Sequence, residues 1–379
     1  MKSPKTKVSV IIPVKNCEEF VEHALEDVLG QTLQDIEVIA VYDASSDGTL
    51  QLLNKLTRRD KRLKVLMAEG NGPGSARNLG MAAAQGEYLM FLDSDDRFAS
   101  VMLERLYMTA SATKADICIC RAVEFKNKNV YRVIWDSIDS NLLQEDVTTS
   151  TVHADRFFQM FTGWAWDKLF RRAFCQEHRL SFGNNFVLED GCFVLPAMAC
   201  ADKIVGVKDI LVYHRKHVSS LEASSVHFNI HWRDLLDNSR SIRTFLKKES
   251  VYKSLEKSYE NWLLNYSLWL LKRTNGDEKT KMAQVLRQTL WEEAGLHRYA
   301  ASDFYNQRDR LAYKYMMTMG NKNCIECPKW QRLWSNFCQL LYKVKFYGLV
   351  QTFYHLTWRM GNADLCQAFP VRKDSNDGN

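Results

Sequence analysis

The run Glu87-Tyr-Leu-Met-Phe-Leu-Asp93-Ser94-Asp95-Asp96 sets the tightest limit on the fold. An apolar stretch from Tyr88 to Leu92 runs straight into three carboxylates, and the next positive charge is Arg97. Such a run reads as a buried strand. Its carboxylates then emerge at the strand's carboxyl end, where open α/β sheets bind ligands. Asp93 and Asp95 stand two apart, the spacing of a short turn that aims two carboxylates at one divalent ion. Mg²⁺ and Mn²⁺ take oxygen ligands and accept substrate phosphates in the same shell. A lone D-x-D is more often a solvated acidic turn, so the surrounding sequence has to decide.

The first hundred residues alternate strand and helix patterns. Strands are expected at Val8–Ile12, Ile36–Val41, Leu63–Met67 and Glu87–Leu92, with helices at Glu18–Leu29, from Asp47 through Leu56, and over Pro73–Ala84. This alternation implies parallel βαβ units. A helix over Val101–Ala112 and strands at Asp116–Cys120 and Val130–Trp135 come next, as in a mixed sheet. Glu189 and Asp190 open a helix that reaches Ala199, and Lys203–His214 reads as two short strands. From about His227 the periodicity is helical: Trp232–Phe245, Tyr252–Leu271, Thr280–Glu293, Arg308–Met317 and Trp330–Tyr347. Two domains result, 1–222 and 223–379.

The 379 residues are 46% hydrophobic and 25% charged, which excludes a disordered chain. Residues 221–379 carry 24 Lys+Arg against 16 Asp+Glu, while residues 1–220 are near neutral. The ten cysteines do not form a disulfide framework. Cys118, Cys120, Cys192 and Cys200 read as small buried side chains. Cys324-Ile-Glu-Cys327 is a lone C-x-x-C without a second pair. No secretory signal or apolar span of membrane length is visible, so the expected location is cytoplasmic, with a peripheral position on the inner membrane face as an extension.

Two more loops come after strands. Asp43-Ala-Ser45-Ser-Asp47-Gly-Thr49 offers a carboxylate to a base or ribose, beside residues that cap a helix. Gly70-Asn-Gly72-Pro73-Gly74-Ser-Ala-Arg77-Asn78-Leu-Gly80 opens a helix, and helix N-termini favour anions. Its spacing fits neither a dinucleotide loop nor a Walker loop.

Together with Val8-Ser-Val-Ile-Ile-Pro13-Val-Lys-Asn16, these segments resemble family 2 of the inverting, nucleotide-sugar-dependent glycosyltransferases. The resemblance is strong over residues 7–100, moderate to about 220 and absent beyond. It implies an α/β GT-A fold, a Rossmann-like mixed central sheet flanked by helices, succeeded by a helical C-terminal domain. It further implies that Pro13 and Asn16 line a base pocket, that Asp43 binds uracil, and that Arg77 touches the sugar nucleotide. By the same resemblance Asp93 and Ser94 lie near ribose or metal, and Asp95 ligates Mn²⁺ or Mg²⁺ bridging the diphosphate. Tyr42 and Ala44 depart from the family pattern, which bears on base preference.

Leu188-Glu189-Asp190-Gly-Cys-Phe193 resembles the family's acidic pair, with Asp190 as general base and Glu189 assisting it or holding the acceptor. Two carboxyls this close raise a pKa, which suits a base. Trp166-Asp167-Lys168-Leu169-Phe170 also resembles the family; Trp164 and Trp166 read as a sugar-stacking platform or as core. Tyr213-His214-Arg215 with Ser219-Ser220 resembles the segment that closes over the diphosphate. It makes His214 a candidate metal or phosphate ligand and Arg215 and Lys216 candidates for phosphate contact.

Residues 322–359 hold six Lys/Arg, one acid and nine aromatics. That composition suits an anionic membrane surface, an oligomer interface or an ordinary helical core; nucleic acid is disfavoured because no polar basic stripe forms. The reading is transfer of a hexose or N-acetylhexosamine from a UDP-sugar donor to a glycan or lipid-linked saccharide. A nucleotidyltransferase and a non-catalytic sugar-nucleotide or glycan-binding scaffold are the alternatives.

Overall fold

The computed structural model describes residues 6–126, 130–134, 149–151, 153–185, 187–216, 232–274 and 276–318. The tail at 322–359, the helix expected at Trp330–Tyr347, Cys324–Cys327, Ser219-Ser220 and the expected 222/223 boundary all lie outside the described residues. The chain divides into two compact units, Met1–Met282 and Ala283–Asn379. Helices Trp232–Lys248 and Tyr252–Arg273 belong to the first.

Strands β1 (Val8–Val14), β2 (Ile36–Tyr42), β3 (Leu63–Met67) and β4 (Tyr88–Phe91) pair in parallel in the order β3-β2-β1-β4. They are joined through α1 (Val21–Leu29), α2 (Thr49–Arg59) and α3 (Pro73–Ala83). Both faces of β1 and β2 are covered, which accounts for their near-continuous apolar runs. The chain moves outward from β1 to β2 to β3 and then returns to place β4 on the other side of β1. That reversal leaves a crevice at the carboxyl ends of β1 and β4, the position where such sheets bind ligands. Pro13 is compatible with a central strand because β4 pairs only as far as Ile11–Phe91, so no neighbour on that side needs its missing N–H.

The sheet then becomes mixed. After β5 (Arg97–Phe98) and α4 (Met102–Thr113) come β6 (Ile117–Lys126) and β7 (Val130–Ile134). Next are β8 (Lys168–Arg171), α5 (Arg172–Glu177), α6 (Glu189–Cys200) and β9 (Ile204–Arg215). β8 runs antiparallel to both β4 and β6, and β9 runs parallel to β6. The α/β, GT-A arrangement expected from the resemblance is therefore present, with a helical region after it. One difference is informative. The stretch expected as two short strands is the single strand β9, because the break at the polar pair Lys208-Asp209 is absorbed by a register shift against Ile119–Ala122.

Cys118 and Cys120 are fully buried, and no helix among the described residues is long and apolar enough to cross a membrane.

Candidate active site

The candidate site is assembled from loops that leave β1, β2 and β4, from α3, and from the start of α6. Asn16, at φ 47°, ties the first two loops together. Its backbone N–H donates to Ser45 Oγ at 2.9 Å and its side-chain oxygen accepts from Ser46 N at 2.8 Å. Pro13 is half-buried near the end of β1. Asp43 directly follows β2 and is 2% exposed; Lys15 Nζ lies 3.4 Å from its Oδ2. Asp43 Oδ1 is buried without a hydrogen-bond partner among the described residues. A buried acceptor left open loses hydration, so a donor from a bound molecule would gain by filling it.

Past β4, carboxylate oxygens of Asp93, Asp95 and Asp96 lie within 4.8 Å of one another. This is a hard, all-oxygen donor set that fits Mg²⁺ or Mn²⁺. Ser94 hydrogen-bonds the buried Cys17 thiol, whose pKa burial pushes up to about 11; Cys17 also feels the charges of Asp47 and Asp95. Asp96 had no role in the sequence reading, yet it organises the motif. It is 1% exposed and accepts from His214 Nδ1 at 3.1 Å and from Arg215 N at 2.8 Å. Its only sequence signal was a third acid in an apolar setting, which requires a cation that lies 118 residues away.

His214 thus faces Asp96 through Nδ1 and stacks on Trp166, ring centres 5.1 Å apart and 10° from parallel. Trp164 stacks on Trp166 in turn at 4.9 Å. Burial opposes the charge on His214, but Asp96 overrides it and the imidazole pKa rises to about 9. Burial likewise lifts Asp96 to about 6, against the pull of His214. Arg215 donates from Nε to the Asp95 carbonyl at 2.7 Å and lies over the Phe20 and Phe125 rings.

Arg77 is the hub. It is 5% exposed on α3, donates from Nη2 to Asp93 Oδ1 at 2.8 Å, and places Nη1 2.9 Å from Asp190 Oδ1 and 3.5 Å from Glu189 Oε1. The contact with Asp190 is an ion pair outside hydrogen-bond geometry, so both atoms keep hydrogen-bonding capacity. Phe182 lies under the guanidinium at 5.4 Å and stacks on Phe193 at 4.4 Å, with Phe91 and Phe170 behind. This aromatic floor dries the carboxylates. Burial, then the neighbouring Asp190, raises Glu189 to about 8; burial also raises Asp190, with Arg77 pulling the other way.

The glycine-rich loop has a packing purpose here. A Cβ at Gly74 would run into the carbonyl oxygen of Gly183, and one at Gly183 would sit 3.1 Å from Glu189 Cα. Asn78 clamps the same segment by donating to Phe182 O at 3.0 Å and accepting from Phe182 N at 2.8 Å. Close backbone approach brings α3 against α6 and sets Arg77 beside Asp190.

Residues 9–179 match the family model described as Glycosyl transferase family 2. They are a family 2 glycosyltransferase domain. The chain carrying this family 2 domain is 33% identical over 220 residues to EpsH of Bacillus subtilis (strain 168), a putative glycosyltransferase, covering 56% of this chain and 62% of that relative. The chain thus spans less than two thirds of EpsH. It is also 28% identical over 367 residues to a cholesterol galactosyltransferase of Borreliella burgdorferi, covering 89% of this chain and 97% of that one. The fold resembles that of S. aureus TarS 1–349 in complex with UDP-GlcNAc, at a TM-score of 0.57 and 20% identity over 82% of this chain and 92% of that one.

Proposed function

We propose that this chain transfers a hexose or N-acetylhexosamine from a UDP-sugar to a hydroxyl of a glycan or lipid-linked saccharide, with inversion at the sugar carbon. One observation carries the reading. Arg77 pairs with both Asp93 and Asp190, so a carboxylate of the acidic trio and a buried carboxylate suited to base chemistry share one guanidinium. Donor and acceptor would then meet over a single cluster.

Asp190 takes the proton from the acceptor hydroxyl, whose oxygen bonds to the sugar C1 on the face opposite the diphosphate. The bond from C1 to the diphosphate oxygen breaks in the same displacement, and UDP departs. A raised pKa makes Asp190 a better proton acceptor once ionised. Glu189, raised to about 8, is held protonated near neutrality beside it and donates a hydrogen bond to the acceptor. Asp43 Oδ1 accepts from the uracil imide N–H, which satisfies its open lone pairs. Asp93 and Asp95 would hold a Mn²⁺ or Mg²⁺ ion, which supplies charge neutralisation for the departing diphosphate. His214 and the Arg215 N–H keep Asp96 oriented beneath that site, and Trp166, 3% exposed and stacked on both His214 and Trp164, belongs to the core. The names of relatives support sugar transfer, and the UDP-GlcNAc bound by TarS supports a UDP donor.

Thermal shift across a panel of nucleotide sugars, with and without Mn²⁺, tests this. A UDP-sugar that raises Tm only with Mn²⁺ in the wild type, and not in Asp95→Ala, is the expected result. An equal shift in that variant would remove the metal role.

A further inference from the structure

A second ligand cluster lies at the opposite end of α6. His178, Cys200 and Glu249 each present one ligand atom, and the three atoms lie within 4.8 Å of one another. His178 Nδ1 is 3.2 Å from Glu249 Oε2. Ligands bound at about 2.0–2.3 Å around a tetrahedral ion sit about 3.3–3.7 Å apart. Small rotamer adjustments therefore bring this trio to that geometry. The side chains of His178 and Glu249 are 24% and 25% exposed, which leaves an entry path from solvent.

The backbone favours a cation at this point. His178 caps the end of α5, Cys200 is the last residue of α6, and Glu249 comes directly after the helix Trp232–Lys248. Helix C-termini carry partial negative charge, and three of them converge here. Two of the ends are also held in place. Arg179 at φ 52° and Ser250 at φ 62° take the left-handed conformation that residues with a Cβ adopt at a penalty. They close their helices through Leu180 N to Cys175 O at 3.0 Å and Val251 N to Leu246 O at 3.1 Å. The turns that carry His178 and Glu249 are thereby fixed in direction.

We propose that His178, Cys200 and Glu249 form a zinc-class metal site that pins the ends of α5, α6 and the helix Trp232–Lys248 together. One thiolate, one imidazole and one carboxylate are a borderline-soft set, which suits Zn²⁺ and not the oxygen-seeking ions of the acidic trio. A water fills the fourth position. The helix α6 runs 12 residues from Glu189 to Cys200, about 16 Å at about 1.5 Å per residue, so the ion does not reach the donor. Its effect is on the seat of the helix that carries Asp190. Burial pushes the free Cys200 thiol up to about 12. Coordination therefore releases that proton to solvent, and affinity strengthens as pH rises.

Cobalt(II) added to the chelator-treated full chain reads the site directly. One equivalent should give a thiolate-to-cobalt charge-transfer band with four-coordinate d–d absorption, and Zn²⁺ should bleach both. The band should vanish in Cys200→Ser and persist in Asp95→Ala and in the Cys324→Ser/Cys327→Ser double variant. Glu249→Gln, which keeps the thiol and so remains informative if Cys200→Ser fails to fold, should weaken cobalt affinity by more than about tenfold. A wild type without a thiolate band, a band that survives Cys200→Ser, or one lost in the 324/327 double variant would overturn the proposal. So would unchanged affinity in Glu249→Gln.

Discussion

Arg77 Nη1 lies 2.9 Å from Asp190 Oδ1, between a residue of α3 and one of α6 that are 113 positions apart in sequence. The guanidinium also holds Asp93 and lies beside Glu189, so one cation balances the carboxylates of Asp93 and Asp190 next to the protonated carboxyl of Glu189. An ion network of this kind does not depend on surface pairing, which contributes little. It depends on burial of the guanidinium over the ring of Phe182.

Arg77→Met keeps side-chain length and removes the charge. It leaves the buried carboxylates of Asp93 and Asp190 without their cation, a change expected to destabilise the fold by about 3–5 kcal/mol. Urea unfolding of the two proteins measures it. A loss well below about 1 kcal/mol would mean that the two acids find protons or water elsewhere.

Asp190→Asn preserves shape and hydrogen bonding but cannot accept a proton at the carboxylate. Transfer should fall by about 10²–10⁴-fold while calorimetric donor affinity holds. In the wild type, turnover should rise with pH through a limb above the ordinary carboxylate range, since burial raises Asp190 and the ionised form is the active one. Normal turnover in the variant would place the base at another residue.

The pair His214–Asp96 ties stability to pH. The imidazole pKa is about 9 in the folded chain against 6.5 ordinarily. Its contribution is then complete below pH 6.5 and lost as pH climbs through 9. Melting temperature without added metal should drop across that window, and His214→Gln should flatten the decline. An unchanged slope in the variant would assign the titration to another group.

Much of the architecture was readable from pattern alone. The strands β1, β2 and β4 are covered on both faces, so each spells a short apolar run, and Asp43 and the acidic trio fall just past one. Period and turn chemistry are local properties, and local properties survive in a linear text. The pair Asp93 and Asp95 was visible for the same reason, because adjacency along the chain is adjacency in space within one turn; the part played by Asp96 was not.

Long-range partners were not readable in this way. Nothing near Asp96 announces His214, nothing near Arg77 announces Asp190, and the glycines at 74 and 183 look like loop punctuation until their backbones touch. The single strand β9 hid behind a polar break that only its pairing with β6 repairs. The amino-acid order established which segments are strands and where carboxylates leave them. Packing of α3 against α6 established which acids share a cation and which are dried enough to hold a proton, because burial and charge balance depend on neighbours that the chain brings in from more than a hundred residues away.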